Sequence, residues 1–147
     1  MLYPIGIQSF EKIRTGGFVY VDKTALIYSL AASGQYYFLS RPRRFGKSLL
    51  VSTMEAYFSG RKDLFEGLAM ESLEKEWTEY PVLHLDLTGS SYTDISQLKI
   101  SLEQHLRKWE SLYDVTPVSE DLSSRFKDVI DTAYRKTGQK VVIIIDE

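Results

Sequence analysis

The sequence has no cysteine and only two histidines, His84 and His105, and these shortages exclude several kinds of site. Without cysteine the chain cannot carry a disulfide, a catalytic thiolate, or a zinc or iron–sulfur site with cysteine ligands. The two histidines are far apart in the sequence and do not have the spacing of paired metal ligands. A histidine-based metal centre is therefore not expected.

Long apolar runs are missing as well. No stretch approaches the roughly 20 apolar residues that a membrane-spanning helix needs. The first residues, Met1 to Ile5, lack the basic segment and the apolar core of a signal peptide. We therefore expect a soluble, cytoplasmic protein without a membrane partner.

Charge of neither sign is in excess. The 147 residues include 18 Lys and Arg against 20 Asp and Glu, which gives a net charge of −2. This balance argues against a generally basic nucleic-acid-binding protein, although a local basic patch stays open. The length corresponds to about one domain of roughly 150 residues. Aromatic residues make up 13% of the chain, which argues against disorder.

Apolar periodicity predicts helices that alternate with strands. Four helices are predicted: one after Asp22, one from Gly46 to Phe58, one after Asp94 and one after residues 119–121. Short helices are predicted near 64–65 and 73–77. The predicted strands are 36–39, 81–87 and 140–145. Residues 1–21 are predicted to be irregular. This alternation is typical of an α/β fold with a parallel sheet flanked by helices. The last strand, rich in Val and Ile, is predicted to be buried on both faces.

A phosphate-binding motif follows the first predicted strand. Residues 41–48 read Arg-Pro-Arg-Arg-Phe-Gly-Lys-Ser and match the pattern G-x-x-x-x-G-K-[ST], except that Arg41 replaces the first glycine. In such loops the backbone N–H groups at the helix start attract phosphate oxygens, and Gly46 lets the backbone approach them. Lys47 is then expected to contact the β- and γ-phosphates, and Ser48 to ligate Mg²⁺.

The rest of this loop adds positive charge beside the lysine. Arg43, Arg44 and Phe45 are candidates for contact with the nucleotide because they precede the glycine in the same loop. Two other interpretations of the arginines stay open. They contact a partner domain or a nucleic acid, or they form an ordinary solvated basic turn.

Two acidic residues close the last predicted strand. Ligands of parallel α/β sheets bind beyond the carboxyl ends of the strands, where residues 40–48, residues 86–90 and the pair Asp146-Glu147 all fall. Asp146 is expected to hold Mg²⁺ through water, and Glu147 to be the catalytic residue that orients or deprotonates the attacking water. The alternative is a basic turn together with a core strand that happens to end on two acids.

Three segments together resemble a known family. Residues 20–24, which read Tyr-Val-Asp-Lys-Thr, and residues 37–48 and 57–68 are similar to the bacterial predicted AAA-ATPase-like family. The resemblance implies a P-loop NTPase fold with a partial ASCE/AAA-like core, ATP and Mg²⁺ as cofactors, and ATP hydrolysis in the full-length protein. The positions that match the nucleotide site of the family are Lys47, Ser48, Asp146 and Glu147.

The resemblance also implies how the chain is organised. Residues 1–35 are expected to form a lead segment with one helix, and residues 36–147 an incomplete P-loop core, as one domain overall. Members of the family are longer and typically carry a C-terminal domain that resembles PD-(D/E)xK nucleases. In related ATPases a further strand follows the Asp-Glu strand in sequence and lies between strands 36–39 and 141–145. We therefore expect an N-terminal fragment whose open sheet edge pairs in a homo-oligomer.

Three other functions stay open at this point. A nucleotide-binding regulatory or scaffold module would hydrolyse little ATP and gate an attached nuclease-like domain. A nucleic-acid-binding module would use the arginine cluster, with an affinity that falls steeply with salt. A small-molecule kinase usually has no Glu after the Asp, so Glu147 argues against that class.

Overall fold

The structure is a computed structural model that describes residues 1–34, 36–40, 46–88 and 93–147. These residues form a mixed α/β protein with two compact units, Met1–Glu79 and Tyr80–Glu147. The elements in chain order are α1 (Phe10–Thr15), α2 (Thr24–Ser33), α3 (Lys47–Phe58), a 3-10 helix (Lys62–Phe65), α4 (Ala69–Leu73), β1 (Val82–Asp86), α5 (Ile95–Leu112), α6 (Leu122–Thr137) and β2 (Val142–Asp146).

The first unit is helical in its described part and is built around aromatic side chains. Its core consists of Phe10, Ile27, Leu64, Phe65 and Met70. The Phe65 ring lies 4.9 Å from the Phe10 ring and 5.2 Å from the Trp77 ring, measured between centroids. Because burial of aromatic rings removes a large apolar area from water, this cluster is the main stabilising feature of the unit.

Side chains that bond to distant backbone groups join the helices of the first unit. The Arg14 guanidinium donates from Nε to the carbonyl oxygen of Leu64 at 2.8 Å. Asp22 accepts from the N–H of Thr24 at 2.9 Å and from the N–H of Ala69 at 2.7 Å, so one carboxylate holds the starts of α2 and α4. These bonds satisfy backbone groups that the short helices leave unpaired.

The second unit packs two amphipathic helices with a pair of parallel strands. β1 and β2 pair in parallel, with a register that runs from Val82 opposite Val142 to Asp86 opposite Asp146. Its core consists of Leu83 from β1, Leu106 and Trp109 from α5, and Val129 from α6. The predicted parallel arrangement is thus confirmed for these two strands.

The helix ends of the second unit follow the predicted capping residues. The Asp94 carboxylate accepts from the N–H of Gln97 and begins α5, and the Asp121 carboxylate accepts from the N–H of Ser124 and begins α6. Gly138 ends α6 with a φ of 69°, a left-handed conformation that favours glycine.

One predicted strand is wrong. Residues 36–40 adopt no regular secondary structure, and Tyr36 and Phe38 are 92% and 87% exposed. A strand needs a neighbour that pairs with its backbone, and the sheet formed by the described residues contains only β1 and β2. Instead, the Tyr37 hydroxyl donates to the carbonyl oxygen of Leu30 at 2.7 Å, which holds this segment against the end of α2.

Three smaller predictions also need correction. β2 is not buried on both faces, since Ile143 and Ile145 are exposed while Ile144 between them is buried. The segment before residue 21 contains α1, whose start is capped by the Ser9 hydroxyl. The short helix expected near 73–77 lies earlier, at Ala69–Leu73.

Within the described ranges, no helix combines the length and the apolar character that crossing a membrane requires.

Candidate functional site

Gly46 and the start of α3 are the part of the phosphate-binding motif that the structure describes. Gly46 is the N-cap of α3 and has a φ of 79°. A side chain is strained in this left-handed conformation, whereas a Cβ added at Gly46 would meet no atom of the described residues within 4 Å. The backbone conformation by itself therefore favours glycine at this position.

Lys47 and Ser48 are the first two residues of α3, and both are half-buried. Gly46 has no side chain with which to cap the helix. The first N–H groups of a helix have no partner in the helix itself, and they create a positive potential there. Lys47 adds a full positive charge at the same point. The start of α3 thus has the polarity that a phosphate group needs.

The remaining loop positions stay at the level of prediction. Arg43, Arg44 and Phe45, which were predicted to contact the nucleotide, lie outside the described residues, and so does Arg41.

The acidic pair occupies the end of β2, as predicted. Asp146 is the last residue of the strand and is only 6% exposed, whereas Glu147 is exposed. The N–H of Leu87 donates to the carbonyl oxygen of Asp146 at 2.7 Å, which extends the ladder between the strands. This bond fixes the backbone of Asp146 at the carboxyl end of the sheet, the edge where ligands of α/β proteins bind.

The strand register places a second carboxylate, that of Asp86, opposite Asp146. Its Oδ1 accepts from the N–H and the hydroxyl of Thr88, at 2.9 and 2.5 Å. Burial raises the pKa of the Asp86 carboxyl, but the hydrogen bonds from Thr88 outweigh this effect, and the pKa lies below its usual value. Asp86 is therefore ionised at neutral pH.

His105 connects α5 to this end of β1. Its Nδ1 lies 2.8 Å from the carbonyl oxygen of Ser101, and its Nε2 accepts from the N–H of Asp86 at 3.3 Å. This role is not visible in the sequence. Helical periodicity places His105 next to the buried Leu106, but no local pattern indicates a contact that spans 19 residues.

Two of the predicted residues, Ser48 and Asp146, carry oxygen donors of the kind that Mg²⁺ prefers. The described residues hold no group of three or more His, Cys, Asp or Glu side chains that could bind a metal ion by itself. Mg²⁺ does not need such a group, because proteins usually bind it through one or two carboxylates together with phosphate oxygens. The Ser48 hydroxyl and the Asp146 carboxylate are oxygen donors of that kind.

The candidate residues are divided between the units. Lys47 and Ser48 belong to the first unit, and Asp146 and Glu147 belong to the second. Within the second unit, Asp86, which the sequence already places at this edge, and His105, which the structure adds, lie at the same end of the sheet as Asp146.

Comparisons with known proteins give the family of this chain. A curated protein from Azotobacter chroococcum mcd 1, named "Uncharacterized protein in vnfD 5'region", is 38% identical over 146 residues. The match covers 98% of this chain and 28% of that protein, so the chain spans less than a third of its relative. No solved structure matches the chain. The family model described as "Predicted AAA-ATPase" matches residues 4–147, and the chain therefore belongs to the predicted AAA-ATPase family.

Proposed function

We propose that this chain is the nucleotide-binding part of a P-loop ATPase and that it binds ATP together with Mg²⁺. Its family membership supports nucleotide binding in general. The proposal also includes a P-loop NTPase fold for this chain and hydrolysis of ATP by the whole protein. The parallel β1–β2 pair is compatible with that fold, because P-loop proteins are built on parallel sheets.

The observation that carries the proposal is the conformation of Gly46. A left-handed glycine comes directly before a helix whose first residues are Lys47 and Ser48. The residue types follow from phosphate chemistry, since the bare backbone approaches the phosphates and the lysine reaches their oxygens. In the proposal, Arg43, Arg44 and Phe45 complete the loop around the nucleotide.

Two residues are assigned to Mg²⁺ in this proposal. Ser48 offers a hydroxyl and Asp146 a carboxylate that binds through water. When bound, Mg²⁺ neutralises charge on the phosphate oxygens and orients them. The burial of Asp146 supports its role, because a carboxylate held in a fixed place is suited to orient a ligand.

Glu147 is assigned the catalytic role. Its carboxylate follows the strand directly and is exposed. It orients the attacking water and accepts its proton. Because the relative is much longer than this chain, turnover is proposed for the whole protein.

The test is a calorimetric titration of the chain with ATP and Mg²⁺. Lys47→Ala is expected to weaken binding by about 10- to 100-fold, since a hydrogen bond to a charged group contributes about 1.5–3 kcal/mol. Lys62→Ala, at the start of the 3-10 helix, removes the same charge elsewhere in the first unit and should leave the affinity unchanged. Equal affinities of the wild type and Lys47→Ala would refute the proposed site.

A second variant separates an ATPase from a regulatory nucleotide-binding module. In the longer protein, Glu147→Gln should abolish turnover and retain ATP binding, because the amide cannot accept a proton from water. If the wild-type protein binds ATP without turnover and Glu147→Gln changes nothing, the protein is a regulatory module.

A further inference from the structure

The two ring nitrogens of His105 have different partners, and this fixes where its proton lies. Nδ1 faces the carbonyl oxygen of Ser101, which can only accept, so Nδ1 carries the hydrogen. Nε2 faces the backbone N–H of Asp86, which can only donate, so Nε2 is unprotonated. The pair of contacts therefore requires a neutral ring in the Nδ1–H tautomer.

The position of His105 on the sheet edge explains why an acceptor is needed there. Along a strand, successive backbone groups point in alternate directions. The N–H of Leu87 points toward β2, where it meets the carbonyl oxygen of Asp146. The N–H of the preceding Asp86 therefore points away from β2, to the edge of β1 that pairs with no strand among the described residues, and His105 accepts from it there.

Two further contacts hold the parts of this connection in place. The His105 ring packs against the Trp109 ring, with centroids 5.8 Å apart, and Trp109 belongs to the core of the second unit. The Asp86 carboxylate is engaged by Thr88, so the contact with His105 runs through the backbone rather than through the carboxylate.

We infer that His105 is a positioning residue that fixes the carboxyl end of β1 and, through the ladder, the backbone of Asp146. The path runs from α5 through the imidazole to Asp86, and from the adjoining Leu87 to Asp146. The effect of this path on nucleotide binding rests on the proposed function. The hydrogen bonds that form the path do not depend on that proposal.

The first test measures the tautomer in the wild-type chain. Nitrogen-15 NMR of the imidazole at neutral pH distinguishes a protonated from an unprotonated ring nitrogen. We expect a protonated Nδ1 and an unprotonated Nε2 at His105. A ring with its hydrogen on Nε2 would overturn the inference, because such a ring cannot accept from Asp86.

The second test compares two substitutions by hydrogen exchange of the backbone amides. His105→Asn keeps a short polar group near Ser101 but cannot reach Asp86, whereas His105→Gln can place its carbonyl oxygen near the former Nε2. The Asp86 amide should exchange about fivefold faster in His105→Asn, as expected for the loss of one hydrogen bond. It should return to the wild-type rate in His105→Gln, and the Val129 amide in α6 should be unaffected. Equal rates at Asp86 in all three proteins would contradict the inference.

A third measurement separates this inference from the proposed function. Titration with ATP and Mg²⁺ should give about fivefold weaker binding in His105→Asn and wild-type binding in His105→Gln. If the wild type binds no ATP, the proposed function fails, and the exchange rates still decide the role of His105. If ATP binds equally well to all three proteins although the Asp86 amide responds, His105 positions the strand end without affecting the nucleotide.

Discussion

The two units of this chain reach a stable core by different means. The first joins short helices through a cluster of aromatic rings and through side chains such as Arg14 and Asp22, which bond to distant backbone groups. The second packs long amphipathic helices with two parallel strands and contains a buried ion pair between Glu110 and Arg125. The first unit therefore depends on a few specific long-range contacts, and the second depends on regular patterns of apolar residues.

The largest effect is expected in the aromatic core of the first unit. Phe65 is fully buried and contacts the rings of Phe10 and Trp77. Phe65→Ala should lower the free energy of unfolding by about 3–5 kcal/mol, because it leaves a cavity among rigid rings. Leu26→Ala on the exposed surface of α2 is the matched control and should cost less than about 0.5 kcal/mol. Urea unfolding, monitored by hydrogen exchange, measures the free energy of unfolding of both variants. Similar losses of stability in the two variants would mean that Phe65 is not central to the core.

The buried ion pair of the second unit gives the next largest effect. The carboxylate of Glu110 and the guanidinium of Arg125 form two hydrogen bonds, of 2.6 and 3.1 Å. Glu110→Ala should cost about 3 kcal/mol, because it leaves a buried charge without its main partner. Urea unfolding measures the loss.

The exposed pair of Arg107 and Glu103 on α5 provides the comparison for this prediction. Arg107→Ala should cost less than about 1 kcal/mol, because exposed ion pairs contribute little. If both substitutions cost the same, burial of the Glu110–Arg125 pair has no energetic consequence.

The same contrast explains how much of the fold could be predicted from the sequence. α5 and α6 were predicted closely, because apolar residues recur at helical spacing and Asp94 and Asp121 cap the helix starts. α1 was missed, since its stability comes from the burial of Phe10 and Ile13 rather than from a repeated local pattern. The strand predicted at 36–39 was wrong because an apolar, aromatic run indicates burial, whereas a strand also needs a pairing partner.

The candidate site could be predicted in part for the same reason. Lys47, Ser48, Asp146 and Glu147 come from short motifs, and the structure places them at the start of a helix and at the end of a strand, as expected. His105 could not be found this way, because its contact with Asp86 exists only once α5 packs beside β1.

Substitutions of Asp22 test the long-range hydrogen bonds of the first unit, and we expect them to have a moderate effect on the free energy of unfolding. Asp22→Ala removes the acceptor for the N–H groups of Thr24 and Ala69 and should cost about 1–2 kcal/mol. Asp22→Asn keeps one carbonyl oxygen and should cost about half as much. Thermal unfolding of the three proteins measures this order. An alanine variant as stable as the wild type would mean that the contact between α2 and α4 contributes nothing.

Protonation of carboxyl groups at low pH should cause the smallest loss of stability per residue, and it should destabilise both units. Among the described residues, carboxyls with a lowered pKa are Asp22, Asp63 and Glu74 in the first unit, and Asp86, Asp94 and Asp121 in the second. A carboxyl whose pKa is lower in the folded state stabilises the protein above its unfolded pKa of about 4. That contribution disappears as the pH falls through the folded pKa.

Protonation of these carboxyls should therefore lower the urea midpoints of both units as the pH falls below about 4. Hydrogen exchange in α3 and α6 reports the two units separately. A midpoint that rises on acidification in either unit would contradict the direction of these pKa shifts.

In the proposed function, Gly46, Lys47 and Ser48 at the start of α3 hold the phosphates of ATP, and Asp146 at the end of β2 binds Mg²⁺ through water. The most direct test is an NMR titration of the isotopically labelled chain with ATP and Mg²⁺, in which each backbone amide reports its own change. We expect the largest shifts at Gly46, Lys47 and Ser48 and a distinct shift at Asp146. Saturable binding that shifts other amides and leaves these four unchanged would contradict it, and so would a folded chain that does not respond to ATP.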